Sequence, residues 1–138
     1  MVKLKKLKGF TLIEVMFAVA VLAILLVIAV ETYTPYIREG RRVDAVNSLL
    51  AMSLAEERYR SNNTTYGTLA QAWGGVTTSQ GGYYTLAISN VSATSYTLSA
   101  TATGDQLNDK VGTTTCSPLQ IAVSNGTITK TPAVCWPT

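Results

Sequence analysis

Apolar and polar positions change rhythm twice along this chain. Sixteen consecutive apolar residues, Val15 to Val30, come first, and from Phe10 onward only Thr11 and Glu14 interrupt the apolar character. Helix over residues 10–30 spans ~32 Å, about the thickness of a bilayer core. From about Tyr36 to Arg60 the spacing becomes helical and amphipathic. Val43, Val46, Leu49, Leu50 and Leu54 recur at three- and four-residue steps and predict one stripe facing a sheet. Pro35 removes a backbone hydrogen bond and predicts a bend there, and Gly40 is a second weak point.

Ser61-Asn62-Asn63-Thr64-Thr65 ends the helical pattern. Residues 61–82 read as a connecting loop with Tyr66, Leu69 and Trp73 as anchors and a helical turn near Leu69–Trp73. From Gly82 the period is two. Tyr84, Leu86 and Ile88 predict one strand, Tyr96, Leu98 and Ala100 a second, and Leu119, Ile121 and Val123 a third. Asn90–Ser95 joins the first two as a hairpin. Asn125-Gly126 predicts a tight turn into a short fourth strand, Thr127-Ile128-Thr129, which Pro132 ends. The expected class is α+β: a long N-terminal helix on a small antiparallel four-stranded sheet with a thin core.

The residues before the apolar run change the picture. Nine residues precede Phe10, and four are lysines: Lys3, Lys5, Lys6 and Lys8. Net charge is +3, but without this leader seven basic side chains face eight acidic ones. The basic balance therefore belongs to the leader and implies no nucleic-acid partner. It orients the chain instead, with the N-terminus cytoplasmic and everything after Val30 outside the cytoplasmic membrane. Residues 1–9 are a targeting segment, excluded from fold reasoning. An ordinary secretory signal is the rival reading, with small residues near Ala18 and Ala20. The length of the apolar run and the acid at its start count against it.

Glu14 is the residue that needs an explanation. A charge within hydrocarbon costs ~2.5–3.5 kcal/mol on insertion scales. If the chain is cut after Gly9, Phe10 gains a free amine one turn before Glu14. In two slightly staggered helices the amine of one then meets Glu14 of the other. Alternatively, Glu14 favours the positive end of its own helix and reaches the headgroups.

Little other chemistry is written in the chain. It contains no histidine, which removes Ser-His-Asp and Cys-His arrangements and the commonest zinc ligand. We find no phosphate loop, no metal-spaced cluster, no cofactor site and no nucleophile with a base, so the chain does not read as an enzyme. Asp105, Asn108 and Asp109 lie close together, but their spacing fits no EF-hand and a solvated loop is expected. Cys116 and Cys135 are both in the last quarter. In an oxidising compartment they read as one disulfide, with two buried thiols as the alternative.

The segment Lys8-Gly9-Phe10-Thr11-Leu12-Ile13-Glu14 resembles the class III signal of type IV prepilins and pseudopilins. The resemblance implies cutting between Gly9 and Phe10 by a prepilin peptidase, with N-methylation of Phe10. It makes Glu14 the assembly residue, which pairs with a neighbour's amine. Arg41-Arg42-Val43-Asp44-Ala45, Glu57-Arg58-Tyr59, Tyr66 and Cys116…Cys135-Trp136 are similar to PilE-like minor pilins. The implied organisation is a cleaved leader at 1–9, a membrane-embedded helix half at 10–30 and a periplasmic or extracellular domain at 31–138. Cys116–Cys135 would bound its C-terminal loop. In this family a proline commonly ends the apolar run, whereas Glu31 stands there and Pro35 lies one turn later.

The expected function is that of a structural subunit, a minor pilin of a type IV pilus. It serves motility, adhesion or DNA uptake, sits in the bacterial inner membrane before assembly and on the surface afterwards. Its partners are the membrane, the peptidase, other pilin subunits and the assembly machinery. A pseudopilin of a type II secretion system is the alternative. A single-pass membrane protein with a ligand-binding or enzymatic domain is a third reading.

Overall fold

The computed structural model describes residues 9–137. Of the expected leader at 1–9, residues 1–8 lie outside the described residues. The first helix, α1, runs Leu12–Asn62, with Pro35 inside it. A second, α2, is Leu69–Trp73. The strands are β1 (Tyr84–Ser89), β2 (Ser95–Ala102), β3 (Lys110–Val111), β4 (Thr114–Thr115), β5 (Leu119–Ser124) and β6 (Thr127–Thr131). Two 3-10 helices lie at Gly104–Asn108 and Ala133–Cys135. The chain divides into two compact units, Met1–Thr34 and Pro35–Thr138.

In the first unit α1 begins at Leu12, after non-helical residues 9–11, and its apolar side chains are uncovered. Leu12 is 81% exposed and Phe17 72%. This is the one helix among the described residues long and apolar enough to cross a membrane.

In the second unit an antiparallel sheet in the order β1-β2-β5-β6 packs on α1. Register places Leu98 between Ile88 and Ile121, and Ala100 between Leu86 and Leu119. Alternation sends Tyr84, Leu86, Tyr96, Leu98, Leu119, Ile121 and Val123 inward to meet Ala45, Val46, Leu49 and Met52 of α1. The two tyrosines make this core thicker than the small strand residues suggest. The Tyr96 hydroxyl lies 2.9 Å from the Ser53 hydroxyl. Burial pushes its pKa up to about 12. The turn at Asn125-Gly126 has positive φ at both residues, which favours Gly and Asn there.

The helix face differs from the expected stripe. Val46 and Leu49 are buried, but Val43, Leu50 and Leu54 are exposed. The inward face is centred on Ala45, Leu49, Met52 and Glu56, a set obscured in the sequence by one small and one charged residue. The β3–β4 pair and the first 3-10 helix are additions, because segments this short carry no periodic signal.

Candidate functional site

The N-terminal site begins with a helix cap. Thr11 precedes the first helical residue, and its Oγ1 accepts the Glu14 N–H at 3.3 Å. The Glu14 carboxylate accepts the Thr11 N–H in return at 3.5 Å. This is the reciprocal pattern of a capping box, and it satisfies two donors that a helix start leaves open. Glu14 therefore has a local partner, at a long and weak distance. Phe10 is 83% exposed and follows Gly9 directly, so the bond between them lies in non-helical chain next to the cap. The Thr-x-x-Glu spacing was legible as a capping box in the sequence and is the missed signal there.

The C-terminal region is held in two ways. Cys116 and Cys135 form a disulfide with a Cα–Cα distance of 5.6 Å, and both are buried. Two arginines of α1 hold the segment before it. Arg42 donates from Nε and from its second terminal nitrogen to the two oxygens of Asp109, each at 2.7 Å. Arg38 makes the same forked pair with Asp105, at 3.0 and 2.7 Å. Gln106, between the aspartates, donates to the Arg38 carbonyl and to the Tyr84 hydroxyl. Arg38 and Arg42 are one helical turn apart, as are Asp105 and Asp109 in chain number, so the two forks match in spacing. Of the two acids expected in a solvated loop, Asp109 is instead buried in its ion pair, whereas Asp105 remains exposed. Arg38 holds the Asp105 carboxyl below its usual range, and the bond to Asp109 raises the Arg42 guanidinium. Among the described residues no group of three or more His, Cys, Asp or Glu could hold a metal ion.

A third cluster forms where α1 ends. Tyr66 N–H donates to the Ser92 carbonyl at 3.0 Å, and Asn125 N–H to the Thr94 carbonyl at 2.9 Å. Arg60 donates to the Ala93 and Asn63 carbonyls at 3.0 and 2.6 Å. The end of α1, the β1–β2 loop and the β5–β6 turn thus meet at one end of the sheet. Exposed side chains there include Arg58, Asn62, Asn63, Asn90 and Asn125, with the hydroxyls of Ser61, Thr64, Thr65 and Thr94. Glu57, the nearest exposed acid in the chain, accepts from the Tyr66 hydroxyl at 3.1 Å.

Comparison with known proteins assigns the family. Residues 32–120 match the family described as type IV minor pilin ComP, DNA uptake sequence receptor. The chain belongs to that family. Residues 4–30 match the prokaryotic N-terminal methylation motif. The match to the minor pilin family begins within α1 and ends in β5, before Cys135. No curated protein matches the chain significantly. The protein is thus a type IV minor pilin with the type IV pilin fold, and the match does not favour the type II secretion pseudopilin.

Proposed function

We propose that this minor pilin is cut between Gly9 and Phe10, held in the inner membrane by residues 10–30, and assembled into a type IV pilus that takes up DNA. The observation that carries the reading is the family match over residues 32–120, whose description names a DNA uptake receptor. The methylation motif supports processing that leaves an N-methylated Phe10. In this reading Glu14 leaves its weak cap bond and pairs with the amine of a neighbouring subunit. Lipid would otherwise surround both charges, which favours their pairing.

DNA would meet the end of the sheet where α1, the β1–β2 loop and the β5–β6 turn converge. Arginine, asparagine and hydroxyl side chains there suit phosphate and sugar oxygens. Net charge gives no hint of this, because residues 35–138 carry seven basic and six acidic side chains. Two of the arginines are also neutralised by Asp105 and Asp109. The recognition would rest on local placement, with Arg58 as its one exposed, outward cation on α1.

The test is fluorescence anisotropy of duplex DNA with the processed chain in detergent, across a salt series. Arg58→Ala should weaken binding and reduce the salt slope by about one. Wild-type affinity and slope in that variant would remove this end of the domain from the DNA site. Absence of any DNA binding by the wild type would overturn the receptor reading itself.

A further inference from the structure

Within the second unit, α1 turns an unusual face to solvent. A surface helix normally presents charge on the side away from its core. Here Ala45 to Ala55 contain no charged residue. Tyr36 is 66% exposed, Val43 53%, Leu50 46% and Leu54 54%. Gly40 and Asn47 are exposed among them. Positions 36, 40, 43, 47, 50 and 54 advance by alternating steps of four and three. That is the coiled-coil rhythm, with Tyr36, Val43 and Leu50 at d positions and Gly40, Asn47 and Leu54 at a positions. The stripe lies on the side of the helix away from Ala45, Leu49 and Met52, so the domain's own core does not use it.

We infer that this stripe is a pairing seam for a second copy of the chain, parallel and in register, formed in the membrane before assembly. The inference rests on the membrane anchoring proposed above, because two copies anchored by the same segment run in the same direction. Register follows from Asn47. A side-chain amide is both donor and acceptor, so Asn47 is satisfied when it faces the same residue of the other copy. A shift of one step along the seam sets it against Val43 or Leu50 and leaves it unpaired. A single asparagine at an a position is a known device for fixing register and two-strandedness. Gly40 allows close approach at the membrane-proximal end.

The seam covers only about two and a half heptads, too short to hold a pair in dilute solution. Confinement of both copies to one membrane raises their effective concentration and makes a weak seam sufficient. One flank carries extra apolar surface. An open groove of about 620 Å³ runs beside Val43, Val46 and Leu50, walled by Val111, Val134 and Trp136. The symmetric pair differs in kind from filament packing. A helical filament is built from head-to-tail contacts with an axial rise, which keep identical positions of two subunits apart.

The experiment is cysteine cross-linking of the full chain in intact membranes. Val43→Cys and Leu50→Cys are made singly, with Thr129→Cys on the outer sheet face as control. Both seam variants should give same-residue disulfide dimers on mild oxidation, and the control should not. Adding Leu54→Lys, at an exposed position, to Val43→Cys should abolish the dimer while leaving the domain folded. The pairing is overturned if membrane-bound seam variants cross-link no more than the control, if Leu54→Lys has no effect, or if mass spectrometry finds a different protein joined at Val43→Cys. Loss of the chain from the membrane fraction instead overturns the anchoring reading and the pairing with it.

Discussion

Asp109→Asn separates a buried ion pair from an exposed one within a single loop. Asp109 is 2% exposed and shares two 2.7 Å hydrogen bonds with Arg42, itself 8% exposed. Replacing the carboxylate with an amide keeps the shape but leaves the guanidinium charge buried without its counter-ion. Breaking such a pair costs about 3–5 kcal/mol. A domain of this size loses about 4–8 °C of melting temperature per kcal/mol, so the fall should be about 12 °C or more. Asp105 makes the same forked bond to Arg38, but its side chain is 54% exposed and water screens it. Asp105→Asn should therefore shift the melting temperature far less. The double variant Arg42→Met with Asp109→Leu should recover most of the loss, since it removes both charges. Circular-dichroism melts of the four detergent-solubilised chains at neutral pH decide it. Equal shifts for Asp109→Asn and Asp105→Asn would refute the reasoning, as would a double variant no better than the single.

Three further outcomes are expected. Reduction of Cys116–Cys135, or its removal as Cys116→Ala with Cys135→Ala, opens a loop with a sequence separation of 19 and should cost about 3 kcal/mol, read as a lower melting temperature; an unchanged melt would show that the loop is held by the arginine forks alone. Burial raises the Glu56 carboxyl above its ordinary value, so the folded chain holds that proton more tightly than the unfolded chain. Its contribution to stability is therefore largest at low pH and is lost as pH rises through the raised value; the wild-type melting curve should lose stability over that range relative to Glu56→Gln, and superimposable pH profiles would sink the argument. Glu14→Ala should still be cut by the peptidase but should be absent from sheared filaments, and wild-type incorporation would remove the amine-pairing role.

How much could be read beforehand depended on periodicity. Four strands, the Asn125-Gly126 turn and the helical turn at Leu69–Trp73 each left a regular or strongly biased pattern, and the structure has them all. The inward face of α1 did not, because its contact residues include Ala45 and Glu56 while the larger Val43, Leu50 and Leu54 face out. A hydrophobic stripe identifies a helix surface that needs covering and does not say by what. The roles of Asp105 and Asp109 were hidden by distance along the chain: each lies 67 residues from its arginine. Their common four-residue spacing was the available clue. The DNA-uptake description came from the family match, since a nearly neutral domain gives charge counting nothing to detect.

The most direct test of the central claim is mass spectrometry of this chain in sheared surface filaments, beside the membrane fraction of the same cells. The account predicts a chain beginning at N-methylated Phe10 in the filaments, at low abundance relative to the main subunit. A chain retaining Lys3 to Lys8, or a processed chain confined to the membrane, would contradict it.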